Sequence, residues 1–145
     1  MGKFTVIPVL SALLIGMEVQ AVEWHEIELT ILGIEFERGG ELNIYLFLEP
    51  GFSTKHEEAV KRYKVDAQQT VQVVAIETPD ESFALKVHHD KDRSGSVNKN
   101  WTGLFPSEGL GFSSGSKIGF GPPSFKQAAM SVPDEGRVHI EMIYP

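Results

Sequence analysis

Apolar residues recur at every second position over much of the chain, the period of strands with one buried face. In WHEIELTILGIEF, Ile27, Leu29 and Ile31 share one face, while Glu26, Glu28 and Thr30 share the other. LNIYLFLE follows, with Leu42, Ile44, Leu46 and Leu48 aligned. Between them Arg38-Gly39-Gly40-Glu41 is a tight-turn signal, because glycine reaches positive φ at low cost. The two segments are expected to pair as a hairpin that ends at Pro50-Gly51. TKHEEAVKRYK is expected to form the one short helix, with Thr54 as N-cap and Glu57 at the capping-box position. QTVQVVAIE reads as a third strand, and Thr78-Pro79-Asp80-Glu81 turns the chain into the strand SFALKVHH. Residues 102–124 are dense in Gly, Ser and Pro and are expected to lack regular structure for much of their length. FKQAAMSV, the turn Pro133-Asp134-Glu135-Gly136 and RVHIEMIY read as a closing hairpin, with Val138, Ile140, Met142 and Tyr144 facing inward. Six or seven short strands and one short helix predict an all-β fold. It is a single antiparallel β-sandwich, immunoglobulin-like or prealbumin-like.

The 145 residues suffice for one domain with a real core. The formal charge is −7 and no basic cluster occurs. That argues against nucleic acid and against anionic membrane surfaces, which both recruit clustered Lys and Arg. The first residues resemble an export signal. Met1-Gly2-Lys3 is positive, Phe4 to Gly16 is mostly apolar, and Val19-Gln20-Ala21 suits a cleavage after Ala21. Residues 1–21 are therefore expected to be a signal peptide and 22–145 the domain, placed in the periplasm or secreted. With the signal gone, the domain would not be integral to a membrane. The absence of cysteine excludes disulfides, thiolate metal sites and a Cys nucleophile.

The stretch VHHDKDRSGSVNKNW holds the densest chemistry. Asp90, Asp92, Ser94 and Asn98 fall at the first, third, fifth and ninth places of a calcium loop. The carbonyl of Ser96 fits the seventh, and Gly95 sits where such a loop turns sharply. The twelfth place holds Trp101 instead of the bidentate Glu, and a strand precedes the loop instead of a helix, so this is no EF-hand. Glu108 could supply the missing carboxylate, while Lys91, Arg93 and Lys99 oppose a cation. The competing reading is a metal-free turn in which Asp and Asn cap their own backbone. A calcium site here should be weak, on the order of 10⁻⁴ to 10⁻³ M.

Other candidates are weaker. His88 and His89 are neighbours on a strand and point to opposite faces, so they do not share a metal easily. His89 is expected at the core edge and His88 outward beside Lys86. Gly111-Phe112-Ser113-Ser114-Gly115 spells a nucleophile elbow, but without the flanking strand and helix. Gly115-Ser116-Lys117 lacks the first half of a P-loop, and Asn100-Trp101-Thr102 is a glycosylation sequon. Trp101, Phe105, Phe112, Phe120 and Phe125 pin the long loop to the sandwich. Alternatively, Trp101, Phe105 and Phe112 form a surface for a glycan or a protein partner.

Residues 83–125 resemble the DUF2141 family of exported bacterial proteins. The resemblance rests on a strand ending His89-Asp90, the loop with Gly95 and Asn98, and then Gly103, Pro106, Glu108, Gly109, Gly111, Phe112 and Ser113. Pro123, Phe125 and Ala128 complete it. Asp92, Ser94 and Asn98 depart from the family's usual residues at their positions, and TPDESFALKV lacks its P-G-x-Y-A. The resemblance implies an exported β-sandwich and no known catalytic activity.

Overall fold

The computed structural model describes residues 16, 18–98 and 106–145. The expected signal peptide falls mostly outside them. Glu18 to Glu23 are exposed and precede the first strand.

The described strands are β1 (Trp24–Leu32), β2 (Glu41–Phe47), β3 (Lys61–Asp66), β4 (Gln72–Pro79), β5 (Ala84–Asp90), β6 (Gly109–Phe112) and β7 (Arg137–Glu141). They build a sandwich of two sheets, ordered β4-β1-β7 and β3-β2-β5-β6. The core lies between them. Ile27, Leu29, Ile31, Val138 and Ile140 face Leu42, Ile44, Leu46, Leu85 and Val87, and all are buried. These are the period-two positions of the sequence, so the inward faces are as expected.

The pairing differs from expectation in three places. β1 and β2 are not a hairpin: β1 pairs antiparallel with β4, and β2 pairs with β3 and β5 in the other sheet. The turn at Gly39-Gly40 carries the chain across the sandwich instead of back along β1. TKHEEAVKRYK is not a helix. Only a single 3-10 turn forms at His56–Glu58, and Lys61 onward joins β2, with Tyr63 and Val65 packed toward the core. The ladder with β2 overrides a local helical propensity that is only a weak prior. The closing hairpin is absent as well. FKQA forms the one α-helix among the described residues, α1 (Phe125–Ala128), closed by a reciprocal capping box between Ser124 and Gln127. β7 instead pairs parallel with β1, an exception to the antiparallel pattern.

One feature of the second sheet positions everything below. β2 and β5 are buried at every residue, on both faces. The outer face is roofed by the segment after β2 and by the chain around β6. Phe52 packs edge-on against Phe47, Phe112 and Phe125, and His56 stacks on Tyr45 at 4.1 Å. The roof encloses the outward side chains of β5: Lys86, His88 and Asp90. β6 contributes Leu110 and Phe112 to the same side, opposite His88 and Lys86 in register. Its glycines face the core. A Cβ on Gly111 would stand 2.6 Å from Ile140 Cγ2 and 3.0 Å from the Glu141 carbonyl, so β6 reaches β7 only without side chains there.

Candidate metal centre

The 90–98 loop springs from the end of β5, where Asp90 is fully buried. Its carboxylate accepts the backbone N–H groups of Ser94 (3.0 Å) and Gly95 (2.6 Å). This bends the chain back on itself and uses Gly95 at φ +78°, the sharp turn its position suggested. Asp92 accepts Ser94 N–H at 3.2 Å and the Asn98 amide at 2.7 Å. The Asn98 amide first, then Asp90 and Ser94, hold Asp92 well below the usual carboxylate range. Asp90 and Asp92 thus share the Ser94 N–H as a donor. The Ser94 hydroxyl donates to the Ser96 carbonyl at 3.0 Å, so that pair also sits together.

Glu108, just before β6, is buried and folds across this loop. Oε1 accepts Lys91 N–H (3.2 Å) and the Asn98 amide (3.2 Å). Oε2 accepts Asn98 N–H (3.0 Å) and lies 2.7 Å from His88 Nε2. A carboxylate only accepts, so Nε2 carries the proton. His88 Nδ1 is then a buried acceptor with no partner among the described residues. Ligand atoms of His88, Asp90 and Glu108 lie within 4.8 Å of one another.

The predicted donors are therefore brought together, including Glu108 from outside the loop. Arg93 does not oppose a cation there. It turns away at φ +56°, and its guanidinium pairs with Glu41 and Asp66 at 3.0 and 2.9 Å. Lys91 contributes its N–H, and Lys99 lies outside the described residues. The oxygens of three carboxylates, an amide and the Ser94–Ser96 pair fit the hard-donor preference of calcium. The hydrogen bonds also satisfy the carboxylates without an ion, as the metal-free turn requires.

His88 is the residue the sequence reading misplaced. It is fully buried, not outward, because the roof covers the face the alternation assigned to solvent. The signal was present: residues 86, 88 and 90 share a strand face, so any ligand role for Asp90 brings His88 with it. His89 is buried at the core edge as expected, between the Tyr144 hydroxyl and the Gly39 carbonyl, each 2.6 Å away.

The remaining candidates resolve plainly. Ser113 is buried. Its Oγ accepts Leu85 N–H (2.9 Å) and donates to the Ala128 carbonyl (2.6 Å), which ties α1 to β5. Phe112 is buried against Phe52 and is no surface platform, while Trp101 and Phe105 lie outside the described residues. Phe125 packs on Phe52, but Phe120 is fully exposed and pins nothing. Among the described residues no helix is long and apolar enough to cross a membrane.

A family model described as "Uncharacterized protein conserved in bacteria (DUF2141)" matches residues 30–141, most of the chain. No curated protein and no solved structure matches it.

Proposed function

The chain belongs to the DUF2141 family, and we propose that it is an exported, non-enzymatic β-sandwich module that binds calcium at the 90–98 loop. The observation that carries this reading is the placement of Glu108. Its carboxylate crosses from the far side of the loop to meet Asn98 and to approach Asp90, where a calcium loop needs its closing acid. Asp90 and Asp92 both accept the Ser94 N–H, which gathers two carboxylates at one locus where a divalent cation would be favoured. Ser94 and the Ser96 carbonyl complete an oxygen set. His88 serves here as the hydrogen-bond partner that fixes Glu108, an orienting role typical of groups one layer behind a metal. The non-enzymatic part rests on Ser113, whose hydroxyl is spent on two backbone partners.

The test is the melting of the full chain in EDTA and in 10 mM calcium, with magnesium as control. A site on the order of 10⁻⁴ to 10⁻³ M would stabilise the fold by about 1.5–3 kcal/mol at that concentration. Asp92→Asn, at an exposed position, should keep its EDTA melting point and lose most of the calcium shift. A melting curve that does not move with calcium removes the reading.

A further inference from the structure

A cavity of about 380 Å³ opens on the outer face of the second sheet, beneath the roof. Its volume is in the range of small-ligand sites, which run from about 300 to 1,000 Å³. Leu110, Phe112 and Ile118 make much of its wall apolar. Lys86 enters from β5 and Ser53 and His56 from the roof.

The Lys86 amine is the unusual feature. The residue is only 5% exposed, and no carboxylate lies within ion-pair distance of it among the described residues. Nζ donates to the Ser53 carbonyl at 2.5 Å and meets His56 Nε2 at 2.9 Å. Desolvation first, then the Lys86 charge, lowers the His56 ring to about 4, so it is neutral at pH 7 and Nε2 accepts from the Lys86 ammonium. An ammonium has three N–H donors, so one remains unspent. Ser53 Oγ is buried as well and has no partner. The cavity therefore holds one unspent donor and an uncompensated positive charge against an apolar wall, with the unpartnered Ser53 Oγ closed off behind that wall.

Burial of a charge without a counter-ion is costly unless a ligand supplies one. A carboxylate offers an acceptor oxygen and one negative charge, which match this ammonium donor. A neutral sugar would leave the ammonium uncompensated, and a phosphate dianion would face only one cation. We propose that the cavity is a binding site for a monocarboxylate with an apolar tail, its carboxylate held by Lys86 and its tail against Leu110, Phe112 and Ile118. Burial lowers the Lys86 amine to about 8, so it is still mostly protonated at neutral pH.

The test is calorimetric titration of the full chain at pH 7 in EDTA, which separates it from any calcium effect. The probes are octanoate, 1-octanol and octylammonium. Octanoate should bind at one site about tenfold or more tighter than octanol, the worth of one charge-assisted hydrogen bond. Lys86→Met should erase that preference and leave octanol binding in place. If that variant does not fold, the wild-type Lys86 amine, titrated through its side-chain methylene NMR signals, should lose its proton at higher pH with octanoate bound and not with octanol bound. Equal binding of octanoate and octanol, comparable binding of octylammonium, or no saturable octanoate binding at millimolar concentration would each overturn the proposal.

Discussion

Replacing Lys86 with Met removes the ammonium that β5 carries under the roof, and the consequence should be written in the pH dependence of stability. Desolvation lowers the folded-state pKa of Lys86 from 10.5 to about 8. The unfolded chain holds that proton up to about 10.5, whereas the folded chain releases it near 8. Between those values unfolding takes up a proton, so raising the pH through the window favours the folded state. Applied to these two pKa values, linkage gives a gain of about 2–3 kcal/mol from pH 7 to pH 10. Below the window the buried ammonium is a constant penalty of about 3 kcal/mol. The variant removes this penalty. It also leaves the Ser53 carbonyl and His56 Nε2 without a donor, at a cost of about 1–3 kcal/mol each. The two offsets oppose, so the slope is diagnostic and the absolute stability is not. Tyr45 and Tyr144 have raised pKa values from burial and pull stability down toward pH 10. Both proteins keep them, so the difference between the two curves isolates Lys86. Urea unfolding followed by circular dichroism at pH 7, 8, 9 and 10 supplies the curves. Wild type should gain about 2–3 kcal/mol relative to Lys86→Met across that range. Parallel curves would mean that the amine is hydrated, and the reasoning about its burial would be wrong.

Two further substitutions probe the surroundings of the site. Ser113→Ala should cost about 1–3 kcal/mol in urea unfolding, because it strands Leu85 N–H and the Ala128 carbonyl. It should leave any trace activity on an ester panel unchanged, and loss of such activity would revive the nucleophile-elbow reading. Gly111→Ala should destabilise by about 1–3 kcal/mol, since its Cβ would overlap Ile140 and press on the Glu141 carbonyl. A neutral result would show that β7 can move away from β6 at no cost.

The inward faces of the strands were legible because burial on one face of a sheet leaves a period-two record. Ile27, Leu29 and Ile31, and Val138 and Ile140, carry that record and are buried as read. The pairing of strands was not legible from turns. Arg38-Gly39-Gly40-Glu41 provides positive φ equally for a chain that folds back and for one that crosses to the other sheet. Capping chemistry was a real signal read in one wrong place. Thr54 and Glu57 have the spacing of a capping box, but the reciprocal box forms at Ser124 and Gln127. At the site, the loop residues and Glu108 were recognisable from oxygen spacing, because that chemistry is local. The face that Lys86 and His88 share with Asp90 was recognisable too, but its burial was not, because alternation says which face a residue occupies and not whether that face is wet. The roof that dries it comes from residues 51–58 and from the chain around β6, distant in sequence and without a period of their own.

The hydrogen bonds of the 90–98 loop explain why calcium affinity here should be modest even though the donors converge. Each buried carboxylate already accepts N–H groups: Asp90 from Ser94 and Gly95, Glu108 from Lys91, Asn98 and His88. The Asn98 amide nitrogen bridges Asp92 and Glu108 at 2.7 and 3.2 Å. A cation at this point needs the amide's oxygen instead, so binding requires the Asn98 side chain to turn over. That turn exchanges two hydrogen bonds for one metal contact, and turning the oxygen toward two carboxylates is repulsive unless a cation lies between them. The orientation of Asn98 is therefore the switch between the two readings of the loop. Asn98→Asp adds a negative charge that only a cation can compensate. It should raise the calcium-induced shift in melting temperature while lowering the melting temperature in EDTA. The same change lowering both would leave the metal-free turn as the better account.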